Sequence, residues 1–502
     1  MRRISAVLTL LLPFAIALLI GGCGDDSSST AQPLSAQNTN LVFVVSPDVA
    51  YHTSGDINPE TANLSNQGLQ RSLLMAPYLK QQVLGGQNVT SIYALEPTTH
   101  LQTANEYPDM AAIGFIQQFA LLNQITLPVD STGDTYTGYS YPINASYAEG
   151  AVPVNVAPPT SPSVQLGLPQ YCPDCTGLDF NDAGGDNDTL VTSLIDKKNP
   201  GYFVFSAPWE TVRALLTQIN TQYGYNLPLP ATYQGTNYIF AISIPSSGGA
   251  RLVTYNSKLT PPTTAPVLPS PVTRIACTDQ PLSYTRAGGV NGVTIPANIN
   301  TNSTIYIVRH AEAHPDQNFK FDDGNYVAAG QWRAFSLATA LKDKITKPDV
   351  VYSIDPAGTW YPNGADDVSY IRPSLTVLPY VIANNLPYKL ASKLSLGSAF
   401  DPTNGTVAQD TMEFFFTGGT FTGKTVLVAW ESGHIKPFLE KLIESYGGNA
   451  ASFAADWDNS WPSADYDTIW TVKLDAQGNL TVDNASCEGI DSAKLPVQAP
   501  MF

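Results

Sequence analysis

The chain has few charged residues and a particular shortage of basic ones. Only 13% of its 502 residues are charged, and 42 acidic against 25 basic side chains give a formal net charge of −17. Nucleic-acid backbones are bound by Lys and Arg, so this composition argues against a nucleic-acid partner. Hydrophobic residues make up 43% of the chain, which is enough for packed cores in two domains of ordinary size.

Long apolar runs are also scarce, and the one near the N-terminus is short. Arg2 and Arg3 precede an apolar stretch over about 6–20, which suits the core of a signal peptide better than a membrane span. The stretch ends in Ile20-Gly21-Gly22-Cys23, which resembles the lipobox of bacterial lipoproteins. The resemblance implies a signal peptide over 1–22, cleavage before Cys23 and lipid on its thiol. A plain signal peptide with an incidental cysteine is the alternative.

The residues after this cysteine predict an exported protein held at a membrane. Residues 23–39 are rich in Asp, Ser, Thr and Gln and predict a flexible tether. No later segment is apolar enough to span a bilayer. By analogy with lipoprotein sorting, Gly24 rather than Asp after Cys23 favours the periplasmic side of the outer membrane or the cell surface.

With the N-terminal cysteine lipidated, four others remain: Cys172, Cys175, Cys277 and Cys487. An even number in an oxidising compartment predicts two disulfides. The Cys172–Cys175 pair could also be a redox pair or half of a metal site. A zinc site would need two further ligands nearby, and no histidine occurs between positions 100 and 310. We therefore favour a structural bridge there, and pair Cys277 with Cys487 by position.

The chain contains two copies of one pattern. The matching segments are 41–45 with 304–308, 68–71 with 330–333, 93–97 with 352–356, 203–205 with 427–429, 223–224 with 446–447, and 239–242 with 469–472. The offset is 259 to 263 in the early matches and 223 to 230 in the late ones, so the first copy carries about 35 extra residues.

These offsets predict the domain boundaries. The first copy spans 40–256, with a loop insert at about 126–198; a Pro-rich linker spans 257–299, the second copy 300–490, and a C-terminal tail 491–502. The insert is rich in Pro, Gly, Ser, Thr, Asn and Asp, which is the composition of a surface loop. Its acidic run at 179–188 predicts a solvated loop, with calcium binding as the alternative.

Each copy alternates short apolar strands with helices. In the second copy the pattern predicts strands at 304–308, 349–353, 425–430 and 468–474, and helices near 328–344, 372–385 and 435–446. This alternation is typical of a mostly parallel sheet covered by helices on both faces. The predicted fold is α/β, with two three-layer α/β/α domains in tandem.

Three places in the second copy put ionisable side chains at one edge of this sheet. Arg309-His310 follows one strand, Arg372 opens a helix after another, and His434 begins a helix after a third. Open α/β sheets bind ligands at the carboxyl ends of their strands. Arg holds an oxyanion such as phosphate with a planar fork of donors, and a neutral imidazole can attack it.

This ordered set resembles the histidine phosphatase superfamily, which has the phosphoglycerate-mutase-like fold. The resemblance covers about 300–488. It rests on the strand followed by Arg309-His310, the helix led by Gly330, Tyr-Ser-x-x-Pro at 352–356, Arg372 with Thr376, and the strand followed by His434.

The resemblance implies a role for each residue. His310 would be the nucleophile that becomes phosphorylated, and Arg309, Arg372 and His434 would bind the phosphoryl oxygens and stabilise the charge of the transition state. Neighbouring guanidinium groups should also keep His310 neutral. The resemblance implies neither a cofactor nor a metal ion.

The family pattern is not followed at every position. Ala311 stands where the family usually has Gly after its nucleophilic His, and His434 is not followed by Asp, which argues against the phytase-like branch. Glu431 ranks first among the candidates for the proton donor to the leaving group. Glu312 is also predicted to contact substrate, and the remaining carboxyl candidates are Asp401, Asp410 and Glu413.

The first copy lacks this chemistry. The alignment puts Ser46 and Pro47 at the Arg-His positions and puts His434 on or near Glu210. No arginine occurs between positions 71 and 213, so Arg372 has no counterpart. We expect a degenerate domain that packs against, shields or tethers the second copy, with binding of an unrelated ligand as the alternative.

The leading hypothesis is therefore an exported, lipid-anchored phosphatase that hydrolyses phosphate monoesters through a phosphohistidine intermediate. Its partners would be a small phosphorylated substrate and, through lipid on Cys23, a membrane. The alternative is a non-catalytic binding protein of two domains on the same fold, at the cell surface or in the periplasm. Trapping a phosphorylated His310 would discriminate between them.

Overall fold

The computed structural model describes residues 31–49, 53–61, 63–95, 97, 110–128, 135–139, 143–146, 187–277, 282–313, 324–354, 359–360, 368–391, 394, 405–449 and 464–502. The predicted signal peptide, Cys23, the Cys172–Cys175 pair and residues 179–186 of the acidic run lie outside these residues, and the last two residues of that run begin a helix. Within the described part of the chain, no helix combines the length and the apolar character needed to cross a bilayer.

The first half contains ten strands and four α-helices among its described residues. The strands are β1 (Thr39–Val45), β2 (Ile57–Asn58), β3 (Asn63–Leu64), β4 (Ser91–Leu95), β5 (Gln124–Pro128), β6 (Thr135–Tyr139), β7 (Ile143–Ser146), β8 (Gly201–Ala207), β9 (Tyr238–Ile244) and β10 (Arg251–Asn256). The helices are α1 (Asn66–Tyr78), α2 (Ala111–Ala120), α3 (Asn187–Lys197) and α4 (Trp209–Tyr223).

The second half follows the same alternation. Its strands are β11 (Ser283–Arg286), β12 (Ser303–Arg309), β13 (Val350–Ile354), β14 (Thr359–Trp360), β15 (Val368–Ser369), β16 (Tyr388–Ala391), β17 (Thr425–Trp430), β18 (Thr468–Leu474) and β19 (Leu480–Cys487). Its helices are α5 (Ala328–Ala340), α6 (Arg372–Asn384), α7 (Gly405–Phe416) and α8 (Ser432–Ser445).

The two main sheets have matching strand orders. The first is β10-β9-β1-β8-β4-β7, and the second is β11-β19-β18-β12-β17-β13-β16, with β11 as an added edge strand. In each sheet, four neighbouring strands that include the central one run parallel to each other: β1-β8-β4-β7 in the first and β12-β17-β13-β16 in the second. On the other side of the central strand, each strand is antiparallel to its neighbour. The predicted α/β class with mostly parallel sheets is confirmed.

Alternation along β12 shows how the second sheet is layered. Ile305 and Ile307 belong to a hydrophobic core with side chains of α7 and α8. Tyr306 and Val308 belong to another core, which includes side chains of α5 and α6. Successive side chains of a strand point to opposite faces of the sheet, so helices cover both faces of this one. Full burial of each aliphatic side chain contributes about 1.5–3 kcal/mol.

Two segments predicted to lie outside the domains are built into them. The predicted linker supplies β11 to the second sheet and Cys277 to a disulfide with Cys487. The predicted tail packs on both halves: Gln118 Nε2 donates to the Pro500 carbonyl, and the ring of Phe502 lies 4.8 Å from that of Phe335. The sequence prediction was wrong here because local composition does not report the partner of an isolated strand or of a terminal segment.

Candidate active site

The Arg309-His310 pair lies at the carboxyl end of the central strand of the second sheet. β12 is hydrogen-bonded on both sides, by β17 and β18. The His310 N–H donates to the Trp430 carbonyl at 3.0 Å, which extends the ladder one residue past the strand. The backbone of His310 is thereby fixed, and its side chain is buried at 2% exposure.

The imidazole of His310 is held in one tautomer. Its Nδ1 lies 2.8 Å from the carbonyl oxygen of Ala311. A carbonyl only accepts, so Nδ1 carries the hydrogen and Nε2 keeps the lone pair. Burial and the charges of Arg372 and Arg309 hold the pKa of His310 well below its usual value of 6.5. The ring is therefore neutral near pH 7, with a free lone pair of electrons on Nε2.

Two arginine–tyrosine pairs flank this ring. The guanidinium carbon of Arg309 lies 4.0 Å from the ring centre of Tyr466, and that of Arg372 lies 4.4 Å from the ring centre of Tyr370. The His310 ring meets the same two tyrosines edge-on, at 5.9 Å from Tyr370 and 6.1 Å from Tyr466. Stacking on an aromatic face holds a guanidinium by its plane and leaves its edge for an anion.

A tight turn holds Arg372 at the start of α6. The carbonyl of Gly324 accepts the N–H groups of Ile371 and Arg372, and the Asn325 carbonyl accepts Arg372 Nη1 at 3.3 Å. Gly324 has φ +65°, and a Cβ there would lie 2.0 Å from the Ser369 carbonyl oxygen. Only glycine fits this position. The sequence prediction missed Gly324 and Asn325, because nothing in a local pattern indicates that they contact Arg372.

Thr376 joins α6 to the residue after the histidine. Its Oγ1 accepts the Ala311 N–H at 2.8 Å and donates to the Arg372 carbonyl at 2.7 Å. One hydroxyl thus connects the segment carrying His310 with the first turn that carries Arg372. This contact gives a physical reason for the pairing of Arg372 with Thr376 that the motif contains.

His434 lies in the first turn of α8, where Glu431 caps the helix. Glu431 Oε2 accepts the His434 backbone N–H at 3.0 Å and lies 2.6 Å from its Nδ1. Burial is the largest single influence on Glu431 and opposes its ionisation, but the hydrogen bond and charge of His434 and the hydrogen bond from the Gly433 backbone together outweigh burial and lower the pKa of Glu431 to about 2. A carboxyl group with that pKa carries no proton near pH 7. The structure therefore favours a role for Glu431 in orienting His434 rather than the predicted role of proton donor.

Glu312 occupies a different environment from the one predicted. Its carboxylate lies 2.8 Å from Arg333 Nη2 and accepts the Ser492 hydroxyl at 2.8 Å. Arg333 is fully buried and also contacts Glu488 at 2.5 Å. Glu312 is engaged in this buried cluster, so the geometry does not support it as a ligand of substrate. Its backbone carbonyl also accepts the Val327 N–H, which anchors the segment after His310 to the start of α5.

The remaining predicted residues have mixed outcomes. The disulfide between Cys277 and Cys487 is present, as predicted. Asp410 and Glu413 lie on α7 with exposed side chains. Asp401 lies outside the described residues.

The first half preserves part of the scaffold. Gly68 and Arg71 on α1 correspond to Gly330 and Arg333 on α5. Arg71 Nε lies 2.8 Å from Asp56 Oδ2, as Arg333 lies beside Glu312. A Cβ on Gly68 would meet the Asp56 carbonyl at 1.9 Å, and one on Gly330 would meet the Glu312 carbonyl at 2.6 Å. The buried ion pair and the close glycine contact therefore belong to the fold.

The strand register corrects the predicted alignment by one residue. The Ser46 N–H donates to the Ala207 carbonyl just as the His310 N–H donates to the Trp430 carbonyl. Ser46 therefore takes the place of His310, and Val45 takes that of Arg309. Hydrophobic similarity alone does not fix the register of two short strands. The corrected alignment leaves the prediction unchanged that this copy has no phosphate pocket.

The chain is similar to solved structures of phosphatases over about a third of its length. A putative phosphohistidine phosphatase from Agrobacterium tumefaciens matches at 14% identity and a TM-score of 0.20, over 35% of this chain and 93% of that one. A putative phosphohistidine phosphatase from Nakamurella multipartitia matches at 15% identity and a TM-score of 0.23, over 40% of this chain and 94% of that one. A phosphoserine phosphatase from Entamoeba histolytica matches at 13% and 0.20, over 35% and 93%. No family model and no curated protein matches the chain. Any assignment of chemistry therefore rests on the geometry of the site.

Proposed function

We propose that the second copy hydrolyses phosphate monoesters through a phosphohistidine at His310, as a member of the histidine phosphatase superfamily. The observation that carries the proposal is the state of the His310 ring. Its Nδ1 is bound to a backbone carbonyl and its pKa is depressed by burial and by Arg372 and Arg309. Such a ring presents a neutral Nε2 nucleophile beside two cations, which is the arrangement that phosphoryl transfer to nitrogen requires.

The reaction has two steps. In the first, His310 Nε2 attacks phosphorus, a P–N bond forms, and the ester P–O bond breaks as the leaving oxygen takes up a proton. In the second, water attacks phosphorus, the P–N bond breaks, and inorganic phosphate leaves with His310 neutral again. The guanidinium groups of Arg309 and Arg372 bind the phosphoryl oxygens in both steps and stabilise the charge of each transition state.

In this proposal His434 also contributes to the pocket, and Glu431 orients it. Because Glu431 binds His434 Nδ1, Nε2 is the ring nitrogen that donates to a phosphoryl oxygen. The same contact holds the imidazole of His434 in one orientation, so this donor is in place when a phosphoryl group binds. Glu431 acts through His434, and the identity of the proton donor stays a prediction.

His310→Ala, with Ser46→Ala as the matched control, tests the proposal. Ser46 occupies the equivalent strand end in the first half, so its loss should leave turnover unchanged. We expect His310→Ala to abolish hydrolysis of p-nitrophenyl phosphate. Rapid quenching and mass spectrometry should detect a phosphohistidine in the natural protein and none in this variant. Undiminished turnover in His310→Ala would exclude the mechanism.

The competing function, a binding protein without catalysis, is favoured by one observation. Glu431 binds His434 Nδ1, and its pKa of about 2 leaves it without a proton near pH 7, so the first-ranked proton donor would not assist the leaving group. Phosphate binding without turnover and without a phosphohistidine would support this alternative.

We further propose that the protein is exported and anchored through lipid on Cys23. The support is the sequence Ile20-Gly21-Gly22-Cys23 after a short apolar run. In cells fed labelled palmitate, the label should enter the natural chain and be lost in Cys23→Ser. Equal labelling of both proteins, or of neither, would contradict the anchor.

A further inference from the structure

The two halves share one hydrophobic core. A single cluster of buried side chains runs from the first sheet through α1 and α2 to α5 and α6 of the second half. Within this core α2 meets α6, where a Cβ on Gly114 would lie 2.9 Å from Leu378 Cδ2. An interface of this kind leaves little freedom between the halves.

A chain of buried polar contacts crosses this interface to the phosphate pocket. Gln117 Nε2, on α2, donates to Asn325 Oδ1 at 3.0 Å, and that oxygen also accepts the Tyr326 N–H at 2.8 Å. The Asn325 carbonyl accepts Arg372 Nη1 at 3.3 Å. Both Gln117 and Asn325 are buried, at 4% and 0% exposure. Three residues thus connect the first half with a cation of the proposed site.

We propose that the first half helps to position the residues of this site. In this proposal Gln117 is a positioning residue that orients the Arg372 guanidinium through Asn325. The proposal rests on the proposed function, because it assigns Arg372 to phosphate binding. Two donors fix Asn325 Oδ1, which determines the direction of the Asn325 carbonyl. A guanidinium binds two phosphoryl oxygens only when its plane is held, so the carbonyl that holds Nη1 affects affinity for phosphate.

The same helix provides a control. Gln118 is the next residue on α2 and is buried at 2% exposure. It contacts Gln331 Nε2 at 2.5 Å and donates to the Pro500 carbonyl at 3.1 Å. These contacts cross the same interface and lead away from Asn325. A general weakening of the interface should therefore affect Gln117 and Gln118 variants equally, whereas positioning of Arg372 depends on Gln117.

The test compares Gln117→Leu with Gln118→Leu in the full chain. Thermal unfolding measures the interface, and calorimetric titration with inorganic phosphate measures the pocket. KM and kcat for p-nitrophenyl phosphate are measured alongside. We expect both variants to lose Tm, and Gln118→Leu to lose at least as much as Gln117→Leu, because Gln118 makes two buried hydrogen bonds and Gln117 donates one to Asn325. Only Gln117→Leu should weaken phosphate binding, by roughly tenfold, with a parallel rise in KM.

Each outcome decides the proposal. Equal loss of phosphate affinity in both variants, or no loss in either, would overturn it. If the natural protein binds phosphate without turnover, the proposed function fails, while the phosphate titrations still decide the role of Gln117. If the natural protein binds no phosphate, both fail. Should Gln117→Leu not fold, Gln117→Asn, which keeps the amide but shortens its reach, is expected to show the same selective loss.

Discussion

Glu488→Gln should make the stability of the protein less dependent on pH, because Glu488 lies in an overcrowded buried cluster. Arg333 contacts the carboxylates of Glu312, Asp467 and Glu488 at 2.8, 3.2 and 2.5 Å. One guanidinium cannot neutralise three carboxylates, and Glu488 is the most deeply buried of them. Burial raises the pKa of Glu488 to about 8; the carboxylates of Asp467 and Glu312 add to the rise, and Arg333 opposes it.

The direction of the effect follows from proton binding. The pKa of Glu488 is 4.5 in the unfolded chain and about 8 in the folded protein. Folding thus favours the protonated form of Glu488. The contribution of this group to the free energy of unfolding is complete below pH 4.5 and is lost as pH rises to about 8. Each pH unit in this interval removes about 1.4 kcal/mol from the free energy of unfolding. The total is at most about 5 kcal/mol, since charge sharing within the cluster spreads the titration.

Glutamine has the shape of a protonated glutamate and does not titrate. Near pH 5 we expect Glu488→Gln and the natural protein to differ by no more than about 1 kcal/mol, because Gln can still accept from Arg333. As pH rises to 8, the variant should become the more stable of the two by several kcal/mol. Titrating groups outside this cluster, including His310, are present in both proteins, so their contributions cancel in the difference.

The assay is urea unfolding of both proteins at pH 5, 6.5 and 8, followed by circular dichroism. The quantity of interest is the variant's free energy of unfolding minus that of the natural protein. A difference that stays constant over this range, or one that favours the natural protein more strongly at pH 8, would refute the reasoning. The second result would mean that Glu488 is ionised and fully paired with Arg333.

Three further predictions concern the proposed site and the disulfide. Glu431→Gln should slow hydrolysis of an aryl phosphate and of an alkyl phosphate by the same factor, roughly tenfold, because Glu431 orients His434. A larger loss for the alkyl ester, whose leaving group needs a proton, would instead make Glu431 the donor. Corrected for titration of the substrate, kcat/KM should not fall between about pH 7 and pH 6, because the pKa of His310 lies well below 6.5. An acid limb centred near 6.5 would contradict this. Replacing Cys277 and Cys487 by Ser should lower the free energy of unfolding by up to about 5 kcal/mol in urea, because the disulfide joins residues 210 apart. A change below about 1 kcal/mol would show that the unfolded chain gains little freedom.

Much of the second half could be predicted from the order of its residues. The strands Thr425–Trp430 and Thr468–Leu474 begin and end where the sequence predicted. Both are runs of β-branched and aromatic residues between polar segments, so local preference and tertiary packing agree. Helix α8 begins three residues earlier than predicted, at Ser432, because the side chain of Glu431 caps it. The sequence contains that carboxyl but does not indicate which backbone N–H it binds.

The positions of Arg309-His310, Arg372 and His434 could be predicted for the same reason. Each follows a strand or opens a helix, and parallel strands bring such positions to one edge. Proximity to the histidine in sequence is a weaker guide than this position. Glu312 follows His310 closely in sequence, yet its carboxylate is bound to Arg333. Sequence distance from a nucleophile does not determine the direction of a side chain.

The sequence by itself determined the duplicated α/β plan, the residues at the strand ends and the pairing of Cys277 with Cys487. The alternation of apolar and polar residues and the position of a residue along the chain are local properties, so they can be taken from the order of the residues alone. Only the tertiary structure decided that Glu431 orients His434, and that Gln117 of the first half reaches Arg372 through Asn325. These contacts join residues far apart in the chain, and their partners are selected by packing once the sheets and helices have met.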